Sequence, residues 1–438
     1  MKRNICILLA ACTVFPSFAQ EQWDLRKCID YAVEHNLSIK QKEAAQDKSA
    51  VDLNTAQWSR LPNLNGSAGQ SFNFGRALQS DNTYGNRNTQ NTSFSLGTSV
   101  PLFTGMEIPN NIALSKLNLK AAVEDLDKAK EDISIEVTSA YVKVLFSEEL
   151  AKVAHNQVEM SRELLKQKQA FFDNGKASEA ELYEARSRVA QDELSTVQAD
   201  NDYQLKLLDL SQLLELPSPK GFAIVSPKVE LQFAGLAMPE DIYNEAVMNK
   251  PAIRAAQYRL EGAGRSIRIA QSDWYPTLSF NAGLSTNYYK LAGAENISFG
   301  DQLDQNFSKY FSFSLSVPIF NRFATRNKVK SARINQSALA WKLEEDKKSL
   351  FKEIQLAYYN AVAAESSYTS STVANDAAEA SFRLMNEKYE NGKATATEYN
   401  QSRTNWMKAT SDKIQAKYDY LFKTKILDFY KGIPLALE

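Results

Sequence analysis

Four stretches of the chain alternate apolar and polar residues with a period of two. Phe94-Ser95-Leu96-Gly97-Thr98-Ser99-Val100 and Phe311-Ser312-Phe313-Ser314-Leu315-Ser316-Val317 are the clearest. Leu278-Ser279-Phe280-Asn281-Ala282-Gly283-Leu284 is a third, and the run from Leu64 to Phe74 a weaker fourth. A period of two sets one residue series against an apolar medium and the other toward water. Here the wet series is Ser, Asn and Gly, without a charge in these segments. An ordinary half-exposed sheet would carry Lys and Glu on that side. Lengths of about ten residues suit tilted membrane strands. The pattern therefore predicts barrel strands at about residues 63–75, 92–101, 277–288 and 309–318. The polar connections Gly75 to Asn91 and Thr286 to Lys309 become the outer loops. Four strands do not close a barrel, and open edges are not tolerated in lipid, so the pattern implies oligomerisation.

Elsewhere the apolar spacing switches to three and four. Ile133, Val137, Ala140, Tyr141 and Val144 form one such stripe, and Leu350, Ile354, Ala357, Tyr358 and Ala361 another. Neither Gly105–Asn174 nor Phe323–Asn391 contains a proline after Pro109. The spacing predicts helices over residues 106–173 and 323–390, each about 100 Å long at about 1.5 Å per residue. An Asn-Gly turn follows each, since Gly supplies the left-handed C-cap conformation. Return helices are predicted over residues 178–214 and 395–430. Shorter helices, Leu25 to Glu34 with Leu37 to Trp58 and Pro239 to Met248 with Pro251 to Trp274, precede each strand pair. Residues 221–238 read as a linker, with a β-like Phe222-Ala223-Ile224-Val225 patch, forming a collar outside the helices.

The two halves match. Val100-Pro101-Leu102-Phe103 returns as Val317-Pro318-Ile319-Phe320, and Asn174-Gly175-Lys176-Ala177 as Asn391-Gly392-Lys393-Ala394, both at an offset of 217. Pro62 and Pro276 match at 214, so the second half gains three residues between Pro276 and Pro318. Rigid elements resist length change and loops absorb it, so the constancy predicts two repeats, residues 20–220 and 239–438.

Composition narrows the setting. Lys2 and Arg3, an apolar run from Ile5 to Phe15 and Ser17-Phe18-Ala19 form a secretory signal over residues 1–19. Leu9-Ala10-Ala11-Cys12 also forms a lipoprotein box, with Cys12 as the lipid-bearing residue. Loss of the signal leaves Cys28 alone, so no internal disulfide forms, and moves the net charge from −1 to −3. That balance argues against a nucleic-acid partner. His35 and His155 are the only histidines and stand apart; no phosphate loop or Cys/His cluster is present. No enzyme, cofactor or metal is expected.

A signal, then helix pair, strand pair, long helix, tight turn and return helix, all performed twice, resembles the TolC family of outer-membrane efflux channels. The resemblance covers the whole mature chain and rests on the Val-Pro-Leu-Phe and Val-Pro-Ile-Phe junctions, the two Asn-Gly-Lys-Ala turns and the matched Pro62 and Pro276. It implies a mixed fold: a homotrimer in which each chain gives four strands to one twelve-strand barrel in outer-membrane lipid. Long helices continue it as a periplasmic tunnel. The implied function is the exit duct of tripartite efflux or type I secretion, served by a periplasmic adaptor and an RND or ABC pump of the inner membrane. The turns Asn174-Gly175-Lys176 and Asn391-Gly392-Lys393 fall where adaptor tips dock. Tyr389 falls at the tyrosine of a Tyr-to-acid hydrogen bond that shuts the channel, Glu181 at its acidic partner and Glu398 at an acidic ring that narrows the pore and favours cations. Ala394, Ala180 and Gln401 depart from the family's arginine, threonine and second ring carboxylate. A pore-free periplasmic coiled-coil scaffold or adhesin is the alternative, which explains the helices but not the charge-free strands. No Met or His cluster marks a cargo.

Overall fold

The computed structural model describes residues 21–78, 82–219, 221–227 and 235–436. The predicted signal and Cys12 lie outside the described residues. The first half contains β1 (Glu21–Trp23), α1 (Leu25–His35), α2 (Leu37–Trp58), β2 (Asn63–Asn73), β3 (Arg76–Leu78), β4 (Tyr84–Asn86), β5 (Thr89–Thr104), α3 (Glu107–Asp173) and α4 (Glu179–Leu213). After β6 (Phe222–Ile224) come α5 (Pro239–Asn249), α6 (Pro251–Ser272), β7 (Thr277–Leu291), α7 (Phe299–Gln305), β8 (Ser308–Ser316), α8 (Ala324–Glu390) and α9 (Ala396–Tyr430). Helices at matched places are equally long: α3 and α8 have 67 residues each, and α4 and α9 have 35. Among the described residues no helix is long and apolar enough to cross a membrane.

Contacts divide the chain into two compact units. One comprises the chain up to Gln41, Asp127–Asn249 and from Lys348 onward. Its core is the helical seam: Ile133, Val137, Tyr141 and Val144 of α3 and Ile354 and Ala361 of α8 are all buried. The β-like patch of the linker is real but pairs with an element the residue pattern did not reveal. β6 lies parallel to β1, with Trp23 opposite Ile224. The Tyr141 hydroxyl donates to Val225 O at 2.6 Å and to Trp23 O at 3.3 Å, pinning both strands to α3. Cys28 is fully buried, and burial pushes its thiol up to about 12, so it packs as an apolar residue.

The other unit, Lys42–Leu126 and Lys250–Lys347, carries an antiparallel sheet in the order β2-β5-β7-β8. Register puts Asn65, Gly97, Gly283 and Tyr310 in one row and Ser67, Ser95, Ser285 and Ser308 in another. The whole face to which these rows belong is uncharged. Opposite it lie Leu64, Phe94, Leu96, Phe280, Phe311, Phe313 and Leu315; Phe311 is 77% and Phe313 65% exposed, which places a broad apolar surface outside the sheet rather than in a core. Tyr310 lies against the glycines: a Cβ on Gly283 would stand 2.6 Å from its ring, so the ring rests on Gly283 as no larger residue would allow without its moving.

Strand ends depart from the predicted ones. β5 begins at Thr89 and passes Pro101 through a bulge to Thr104, because β7 pairs it along that length. β7 runs on to Leu291, whereas β8 covers it only up to Ser285. The predicted outer loop supplies what β8 does not. Gln302 of α7 accepts from Tyr289 N and donates to Tyr289 O, both at 2.9 Å. Asn296 treats Leu291 N and O in the same way, and Asn306 donates to Asn287 O at 2.7 Å. Side-chain amides thus stand in for a neighbouring strand and blunt the exposed edge. The other outer connection holds the β3–β4 hairpin.

At the strand-to-helix junctions both halves use two successive left-handed residues, Gly105 and Met106 (φ 60° and 70°) and Arg322 and Phe323 (φ 54° and 62°). A Cβ on Gly105 would meet Ser272 O at 2.6 Å, so the first junction admits only glycine.

Candidate functional site: the hairpin ends and the node above them

α3 and α4 form one helical hairpin and α8 and α9 a second. Their turns are built alike. Gly175 (φ 70°) donates to Phe172 O at 2.9 Å and Lys176 to Phe171 O at 2.7 Å; Gly392 (φ 69°) and Lys393 repeat this on Tyr389 and Lys388. This double bond pattern closes a helix C-terminus around a left-handed glycine. The Asn174 amide reaches Ala170 O and the Asn391 amide Glu387 O, both at 2.7 Å. Asn and Gly therefore make the turns, while Lys176 and Lys393 stand exposed on them. Ser178 and Thr395 then start the return helices, accepting from Glu181 N and Glu398 N.

The two glutamates are matched in sequence but differ in use. Glu398 completes a capping box, accepting from Thr395 N at 2.8 Å, and that bond holds its carboxyl below the usual range. Glu181 accepts from Lys168 Nζ at 2.9 Å. The same ammonium stands 4.5 Å over the Tyr389 ring. Burial opposes the charge on Lys168, but Glu181 and Tyr389 together raise its pKa, and the Lys168 bond lowers that of Glu181. Among the described residues Tyr389 and Glu181 share no hydrogen bond with each other. Lys168 of the first hairpin thus touches Glu181 on its own hairpin and Tyr389 on the second. Met385 occupies the place matched to Lys168, so the bridge exists in one half only.

Tyr389 also begins an aromatic series along the second hairpin. It stacks on Tyr399 at 4.7 Å, Tyr399 meets Phe382 at 5.6 Å, and Phe382 stacks on Trp406 at 5.0 Å. The matched places in the first hairpin hold Phe172, Leu182, Leu165 and Val189.

Farther from the turns lies a buried polar node that sequence reading missed. Arg403 of α9 donates to Asp192 Oδ2 of α4 and to Gln157 Oε1 of α3, each at 2.6 Å. Arg403 is 2% and Asp192 5% exposed. The available signal was register: Leu182, Ala185, Val189, Asp192 and Thr196 are one buried seam, so Asp192 is a charge at a seam position. Arg186, matched to Arg403, instead reaches Gln169 at the surface.

An uncharged sheet face backed by a broad exposed apolar one, in a chain that also forms paired helical hairpins, marks a β-stranded outer-membrane protein. The chain belongs to the outer membrane efflux protein family, whose model matches residues 28–215 and again 242–429. It is 24% identical over 342 residues to the probable outer membrane lipoprotein SilC of Salmonella typhimurium, covering 75% of this chain and 68% of that protein. It is 23% identical over 345 residues to the cation efflux system protein CusC of Escherichia coli K12, covering 75% and 69%. Its fold is similar to that of the Campylobacter jejuni CmeC outer membrane channel, with a TM-score of 0.77, 18% identity and coverage of 93% and 85%.

Proposed function

We propose that three copies of this chain form one continuous duct, the exit channel of a tripartite efflux or type I secretion system. The observation that carries this is the sheet: four strands with an uncharged polar face, an exposed apolar face, and β2 and β8 at its ends. Such ends cannot remain open in lipid. Three copies place twelve strands in one barrel, with the polar faces of Ser, Asn, Thr and Gly inward as a wet bore. The helical hairpins extend the bore into the periplasm, in keeping with a chain built of two repeats.

The exposed turns at Gly175 and Gly392 are the docking points for a periplasmic adaptor, which links the duct to an inner-membrane pump of RND or ABC type. Six turns per trimer suit an adaptor ring of six. Glu181, Tyr389 and Glu398 narrow the periplasmic end, with Lys168 bridging the first two. The selection of cargo falls to the pump. Outer-membrane fractionation with heat-modifiable migration is the test: a heat-sensitive trimer in the membrane fraction is expected. A soluble periplasmic monomer sinks the reading in favour of a pore-free scaffold.

A further inference from the structure

The strands β2, β5, β7 and β8 contain two charged residues, Lys290 and Lys309, and both are cations on the apolar face. Register places Lys309 in one row with Leu284, Leu96 and Gly66, whereas Lys290 lies six residues beyond Leu284 on β7, opposite Gln90. Lys309 forms no ion pair among the described residues; its ammonium stands 5.4 Å from the Phe307 ring. A cation on a face turned to lipid is costly unless it lies at the boundary or meets an anion. Thr92 occupies the matched place in the first half, so this cation occurs once per chain.

Beside Lys309 the same face is hollow. Gly66, Ala68, Phe94, Leu96, Leu284 and Phe307 line a depression of about 480 Å³, within the range of about 300–1,000 Å³ typical of small-molecule sites. The serines that alternate with them bond to one another on the opposite face, Ser67 to Ser95 and Ser285 to Ser308, both at 2.7 Å, so their hydroxyls are not offered to the hollow. The hollow also slopes. Gly66 lies three residues from the helix-proximal end of β2, whereas Lys309 lies seven from that end of β8, about 10 Å against about 23 Å along the strands. Lys309 thus stands near the top of an apolar band about 25 Å tall, and Gly66 well inside it.

A cation at the rim of an apolar groove matches a molecule with a phosphate at one end and a hydrocarbon chain at the other. We propose that Lys309 and the hollow beside it bind a phosphorylated glycolipid of the outer leaflet, with its phosphate on the Lys309 ammonium and one acyl chain laid across Leu284 and Leu96 toward Gly66. This rests on the reading of the sheet as part of a barrel in lipid with the helices on the periplasmic side, which puts the far end of β8 in the outer leaflet. Gly66 and Ala68 leave the groove open at its deep end. A Cβ on Gly66 would stand 3.8 Å from Leu96 Cδ1, an ordinary contact, so a larger residue fits there and fills the groove. Lysine on an edge strand can also serve only to discourage pairing with other chains. That role needs neither phosphate nor hollow.

The test is competition between two lipids for the full mature protein in detergent, read by native mass spectrometry. The probes are diphosphoryl lipid A and the same lipid with its phosphates removed. Wild type should prefer the phosphorylated form by about fivefold, the scale of one basic side chain at an anionic lipid surface. Lys309→Gln should remove that preference and Lys309→Arg should keep it. Lys290→Gln, an equal change of charge on the same face, should leave it intact. Gly66→Leu should weaken both lipids alike, with the preference retained and thermal stability in lipid-free detergent undiminished. A preference that survives Lys309→Gln, or falls as far in Lys290→Gln, would overturn the site in favour of an edge guard or of diffuse charge. Release of the bound lipid by millimolar inorganic phosphate would overturn the lipid as its occupant. A membrane-embedded wild type without any preference counts against this site alone, whereas a soluble wild type that takes up neither lipid counts against the barrel as well.

Discussion

Lys168 touches two of the three residues proposed to narrow the duct. It is largely buried, pairs with Glu181 and covers the Tyr389 ring, so one ammonium engages both hairpins. The pH dependence follows from the lowered pKa of Glu181. A depressed carboxylate contributes while ionised, above its ordinary value of 4.5, and its contribution is lost only as pH falls through the lower folded value. Conductance should therefore hold steady from neutral pH to below 4.5 and then rise. Lys168→Met should raise conductance at neutral pH and abolish the acid step, and Glu181→Ala should do the same; Tyr389→Phe keeps the ring beneath the ammonium and should act less. Bilayer recordings across pH check the set, and an unchanged Lys168→Met trace would remove the bridge from the gate.

At the scale of elements, α7 is the clearest case of structure hidden from pattern reading. It has seven residues, too short for a helical stripe, and works through amides rather than apolar contacts. Gln302 is buried at the strand edge, so Gln302→Leu leaves Tyr289 N–H and C=O without their partner, at a cost of about 1–3 kcal/mol for each group left unpaired. Faster hydrogen exchange at the Tyr289 amide, with the β5–β7 pairing otherwise protected, is the expected result; unchanged exchange would mean that the edge is covered some other way. β1 escaped notice for a similar reason, since three residues cannot display a period. The long helices and central strands were legible because their periods persist for many turns, and the hairpin turns because Asn-Gly has one conformational use. The node was not, because Asp192 and Arg403 read as ordinary surface charges until the register of α4 and α9 places them inside. Lys168 was equally hidden, since its partners lie on other helices.

For the whole molecule, the account turns on what an isolated chain leaves undone. Its sheet ends at β2 and β8, its apolar face is bare, and its two hairpins meet through a lysine contact and an arginine node at places where the repeats depart from each other. In the proposed trimer, three copies would finish the barrel and cover the sheet edges. The most direct test is planar-bilayer recording from size-resolved fractions of the mature protein. Discrete current steps should come from the fraction with the mass of three chains, while single chains remain silent. Current carried by single chains, or a three-chain species that never conducts, would contradict the account.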